Sequence, residues 1–456
     1  KQGASTLECD PERYGTGEAH TEDSNWCNYD DSKWCNAVTI RPEVLSDYQN
    51  DPEGTPIMED DILGYWVYIP RYAYQVMRWS ALGNTPITSP EAFNIAFQHK
   101  DDTKYYPVGE DNSNLQDPSS PMDYRTAVAS TYSQANCNKL SNELPPWQAA
   151  NDSCWATHPA FTFGKTELNG IWVAKFETTG TAASPTIKPN LSSLRSQTIG
   201  SQFSIVVNMS RNPDGAAGGA NFDGPSYYPV SKDAGANKQN LSNHTQSRMA
   251  RNTDWGAAAY LATSSYGRNS TQVWINNNSS YVTGCAGDSV SDFSVSTCNR
   301  YNTTTGVHAS TTDNIYGIYD MSGGTAEYTM SNLGAISTSY ITTMPQTRYL
   351  DIYYVGPFGI KPPTSSSSTG YYYNFDVCTF PTCGGQALYE TTAVQRVSTY
   401  YQSWNSEYST FADSSYPWFY RGQGHGATVR AGMFAGNRYD GRADTIFSSR
   451  PILSKF

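Results

Sequence analysis

Apolar positions in this chain come in short runs separated by long polar stretches. Ile62-Leu-Gly-Tyr-Trp66-Val-Tyr-Ile-Pro70-Arg-Tyr-Ala-Tyr-Gln-Val-Met77 is dense in aromatic and β-branched residues, which fit a pleated surface. Pro70 lacks an N–H for the ladder and divides the run into two short strands. A further strand is predicted from Leu168 to Thr179, with Trp172 and Ala174 on one face and Val173 and Lys175 on the other. Arg248 to Ala262 reads as a helix, with Asn252 or Thr253 as N-cap before an alanine-rich run. Residues 1–55 alternate acidic and polar positions, with Trp26 and Trp34 beside Cys27 and Cys35, and predict an irregular, disulfide-pinned extension. No repeat of fixed period occurs. The expected organisation is this extension followed by one domain over 56–456, with long insertions at about 100–157, 180–245, 266–313 and 331–415.

Composition narrows the class. Charged residues are only 16%, and Gly 36, Pro 25 and Tyr 34 mark a loop-rich, β-leaning protein. Trp 11 and Phe 16 supply a core, so the chain is not a disordered one. A net charge of -12 argues against nucleic acid, whose phosphates require a basic footprint. No apolar run is long enough to span a bilayer, and the chain opens at Lys1 without a signal sequence. A soluble chain from which an N-terminal address has been removed is the expectation. Nine cysteines fall in local clusters, which in polar loops predicts disulfides and an oxidising, extracellular compartment. The expected pairs are Cys27–Cys35, Cys137–Cys154, Cys285–Cys298 and Cys378–Cys383, leaving Cys9, although the spacing equally allows Cys9 to pair with Cys27 or Cys35.

The stretch Asn314-Ile-Tyr-Gly317-Ile-Tyr-Asp320-Met-Ser-Gly323-Gly-Thr325-Ala-Glu327-Tyr-Thr-Met330 combines apolar anchors, paired glycines and two carboxylates. It resembles the G-L-x-D-M-x-G-N-x-W-E-W signature of the formylglycine-generating-enzyme (sulfatase-modifying factor) family, a branch of the C-type lectin fold. Gly324 stands for the usual Asn and Ala326 for the usual Trp. Phe176-Glu177-Thr178 resembles part of the family's opening strand, Arg248–Ala262 its helix, and Arg421-Gly422 with Ser449-Arg450-Pro451-Ile452-Leu453 its closure, in which the last strand returns to pair with the first. The phrases Asp61 to Tyr72, Gly170 to Thr179 and Asn314 to Gly324 are also similar to ones in bacterial surface proteins that join a pilin-like helix to such a head. The implied fold is α+β, loop-rich, with several short strands, few helices and disulfide-stapled insertions.

The resemblance implies a calcium ion at Asp320, Gly323, Thr325 and Glu327, whose oxygens suit a hard cation. The alternative is that the two carboxylates only cap turns. The family's oxidase chemistry needs a cysteine pair in the closing segment, and none lies between Arg421 and Leu453. No His-Glu-x-x-His, Gly-x-Ser-x-Gly or phosphate-loop motif occurs either. A non-enzymatic role is therefore expected. Arg421, Gln423, His425, Arg430, Asn437, Arg438, Tyr439, Asp440 and Arg442 lie between small spacers, a composition suited to an adaptable recognition surface. The sequence thus points to an extracellular ligand-binding or adhesive head on a cell surface or pilus-like filament, taking a surface glycan or protein ligand. The alternative is a structural subunit that contacts itself or pilus subunits in a filament or sheath.

Overall fold

The computed structural model describes residues 27–75, 93–97, 155–209, 245–288, 298–353 and 385–455, apart from a few positions inside these ranges. Cys9 and the predicted loops Cys137–Cys154 and Cys378–Cys383 lie outside the described residues. The chain is a mixed α/β protein, rich in sheet and loop and with few helices.

Two sheets carry the architecture. The first has five antiparallel strands in the spatial order Asn36–Ile40, Ile62–Pro70, Gly170–Ala174, Pro451–Lys455, Thr245–Met249. Ile62–Pro70 lies inside this sheet, which accounts for its nearly continuous apolar sequence. After Pro70 the chain leaves the sheet, and Tyr72–Gln75 joins a separate three-stranded one. The closing strand enters the middle, with Leu453 opposite Trp172 and Ile452 opposite Val173. The predicted N-terminal extension is not irregular throughout, because Asn36–Ile40 forms the edge of this sheet. Disulfides Cys27–Cys35 and Cys285–Cys298 are both formed.

The second sheet is built around Ala326–Leu333, which pairs antiparallel with Trp418–Gly422 and parallel with both Asp351–Tyr353 and Phe447–Ser449. Four of its strands, Asp351–Tyr353, Thr392–Val397, Tyr400–Ser403 and Tyr408–Ser409, come from the stretch expected to be an insertion.

The helix Asn252–Ala262 touches strands of both sheets, and every one of its residues is buried. Its N-cap is Arg251, one or two residues before the Asn252 or Thr253 that the sequence suggests, and Thr245–Met249, in part read as helix, is a strand. Its first N–H groups need partners and find them in Ser331 Oγ (2.8 Å from Asn252 N) and Asp351 Oδ2 (2.8 Å from Thr253 N). A second helix, Ile199–Asn208, capped by Thr198, lies in a stretch whose Ser/Asn/Gly composition gave no helix signal.

Candidate functional site

The stretch 314–330 passes through the interior. Asp320 is buried and takes a positive φ of 65°. One of its carboxylate oxygens accepts from Asn276 Nδ2, and the other accepts from Thr283 Oγ1 and, at 2.7 Å, from Gly284 N. Seven residues on, Glu327 faces Arg450 in a bidentate pair of 2.5 and 3.0 Å, with both side chains buried. The Arg450 guanidinium also donates to the carbonyls of Ala174 (2.8 Å) and Tyr319 (2.9 Å). It thereby ties the opening strand, the loop and the closure together. Burial pushes the Arg450 guanidinium down, but Glu327 outweighs it and holds the group charged.

A third carboxyl, Glu177, reaches the same place and was not singled out from sequence as a site residue. It accepts from Thr325 N (2.9 Å) and from Ser193 Oγ. Burial, reinforced by Asp320 and Glu327, pushes it up to about 8. A Cβ on Gly324 would sit 2.6 Å from Glu177 Oε1, and φ there is +61°. Glycine, rather than the family's asparagine, is what this packing accepts. Two of the implied calcium ligands are engaged internally, Asp320 by three protein donors and Glu327 by an arginine. Among the described residues no group of three or more His, Cys, Asp or Glu side chains is placed to hold a metal ion. The arrangement fits internal hydrogen bonding and an arginine counter-charge better than it fits a hard cation.

The nine residues of the closing segment do not form one surface. Arg421 is fully buried and donates to the carbonyls of Ala435, Gln386 and Ala387 at 2.8, 2.7 and 2.6 Å, with Trp255 beneath it at 5.5 Å. It holds the second sheet together and offers nothing to a ligand. Arg438 pairs with Asp413 (2.8 Å), Arg442 with Asp440 (2.5 Å), and Asn437 accepts from Thr410. Tyr439 stacks on Tyr416 at 6.2 Å. This second group is a web of mutually satisfied pairs.

Gln423, His425 and Arg430 belong elsewhere, on a turn that crosses the 320–325 loop. His425 N donates to Gly324 O at 2.9 Å, and its half-buried ring meets Tyr281 edge-on at 4.8 Å. Burial lowers the His425 imidazole below its ordinary value. Arg195 lies 4.7 Å from the centre of the same ring and donates to Thr445 O at 3.0 Å. Arg195 and Tyr281 were missed by sequence reading. The turn-forming run Asn276 to Ser280 that delivers Tyr281 was visible, but nothing in it signals the partner across the fold.

Backbone strain gathers here. Of the twelve described non-glycine residues with positive φ, five lie on the segments that meet here: Ser196 (61°), Tyr281 (52°), Gln423 (58°) and Thr428 (50°), with the buried Asp320 (65°) beneath. For tyrosine and β-branched threonine such angles are costly. No protein-family model matches the chain, and no curated protein matches it.

Proposed function

We propose that the chain is a non-catalytic ligand-binding or adhesive head, built on the formylglycine-generating-enzyme-like variant of the C-type lectin fold and displayed outside the cell on a surface or pilus-like filament. The observation that supports this reading is the gathering of four strained residues, Ser196, Tyr281, Gln423 and Thr428, over a buried polar cluster that holds the fifth, Asp320, in the loop beneath. Strain of this kind persists where the surrounding structure over-determines it, and it clusters at ligand contacts. The face is centred on Gln423, His425, Arg430, Tyr281 and Arg195, a smaller set than the sequence suggests. A homopolymeric filament or sheath subunit is the second reading, favoured by the edge position of Asn36–Ile40, since edge strands can pair between copies. Screening the full chain on protein and glycan arrays tests the first reading. Retention of a ligand that His425→Ala weakens by about tenfold or more, the scale of a moderate interface contact, supports it. No retained ligand, together with helical arrays of the chain in electron micrographs, overturns it in favour of the second.

A further inference from the structure

The binding face contains an unused guanidinium in an aromatic and apolar setting. Arg195 makes one hydrogen bond, from Nη1 to Thr445 O at 3.0 Å, and lies over Tyr281 at 4.7 Å. Among the described residues no carboxylate pairs with it, whereas Arg438 and Arg442 both have one. On the turn that carries His425, which meets the same Tyr281 ring, Gln423 Nε2 is buried and has no hydrogen-bond partner. The Arg195 guanidinium and Gln423 Nε2 are both donors, which selects an acceptor-rich group. Three of the six exposed large apolar residues of the described chain lie on the segments that meet here: Leu191, paired with Thr283 on the strand after Tyr281, Ile446 next to Thr445, and Val429 on the turn with His425.

We propose that this face binds an acidic, apolar-flanked peptide segment of a protein ligand, with a carboxylate of that ligand gripped by Arg195 against Tyr281. A guanidinium stacked on an aromatic ring keeps its edge donors aligned for a planar carboxylate. The apolar border favours peptide over saccharide, because Leu191, Ile446 and Val429 give a sugar's hydroxyls nothing to bond. The inference rests on the binding reading above and deepens it.

The test is selection from a random peptide-display library on the immobilised full chain, in parallel with its Arg195→Ala and Arg195→Lys variants. Recovered peptides rich in Asp or Glu beside apolar residues are expected. Changing their Asp/Glu to Asn/Gln should weaken binding by about tenfold or more, the scale of a charge-assisted contact. Arg195→Ala should give the same loss, with Arg195→Lys between. The ligand-side change needs no folded variant. Neutral peptides that bind Arg195→Ala equally well overturn the proposal and leave the binding reading standing. Retention of acidic glycans in place of peptides also overturns it. Retention of neither peptide nor glycan overturns both.

Discussion

At the scale of single residues, a buried ion pair and a buried carboxyl carry distinct and measurable consequences. Glu327 and Arg450 are 1% exposed and joined bidentately, so removing one partner strands the other in the interior. Arg450→Met should lower stability by about 3–5 kcal/mol in a denaturant titration, whereas Glu327→Leu with Arg450→Met should recover much of that loss, as expected for a buried ion pair. A double variant no better than the single would mean that the arginine's bonds to Ala174 and Tyr319 carry the stabilisation. Glu407 behaves differently. It is fully buried, accepts from Phe434 N at 2.6 Å, and burial raises it from its ordinary value of 4.5 to about 8. The folded state therefore holds a proton that the unfolded state releases near 4.5, so stability from this group is complete below that pH and is lost as pH rises towards 8. Glu407→Gln keeps the shape without the titration. Comparing melting temperatures of the two proteins from pH 4.5 to 8.5 should show the wild type falling relative to the variant across that window. Parallel curves would place the carboxyl in its ordinary range.

Elements show where the sequence was legible and where it was not. Ile62–Pro70 and Gly170–Ala174 were readable because their apolar and β-branched residues are buried by neighbours on the same sheet. Ala326–Leu333 was harder, because half of Ala-Glu-Tyr-Thr-Met-Ser-Asn-Leu is polar although all eight residues are buried. Its polar groups are satisfied by distant partners, Glu327 by Arg450 and Thr329 Oγ1 by Asn252 Oδ1 at 3.0 Å, and no local pattern encodes those. The same reason hid the placing of Arg421, which composition assigned to a surface and which the fold uses as an internal crosslink. The helix Asn252–Ala262 offers a test of packing against propensity. Alanine is the better helix former by about 1 kcal/mol, yet a Cβ on Gly256 would lie 2.1 Å from Gly385 O. Gly256→Ala should lower the denaturant midpoint despite the propensity gain, and a raised midpoint would mean that the contact yields freely. The 320–327 loop offers a second. With Arg450 supplying the counter-charge, a chelator should leave the melting temperature unchanged, while a clear drop would restore calcium to Asp320 and Glu327.

For the molecule as a whole, the first sheet joins segments from both ends of the chain: Asn36–Ile40 at its edge and Pro451–Lys455 in its interior. The closing strand pairs with Gly170–Ala174 on one side and with Thr245–Met249 on the other, so the sheet cannot be continuous until the last residues are in place. Pairings at such sequence separation close large loops before any contact offsets the lost entropy, which slows folding. The same closure carries Arg450 to Glu327 and Ser448 Oγ to Glu177 (3.3 Å), so the polar cluster beneath the proposed binding face forms only when the sheet does. Fold and candidate site are thereby one cooperative unit, and a cut at the closing strand should reach the distant turn at His425. Deleting residues 451–456 should abolish the near-ultraviolet circular dichroism of the buried tryptophans Trp66, Trp255 and Trp418 and leave no cooperative melting transition. If the truncated chain instead melts sharply and keeps that signal, the second sheet and the turn fold without the first, and the binding face is an independent module.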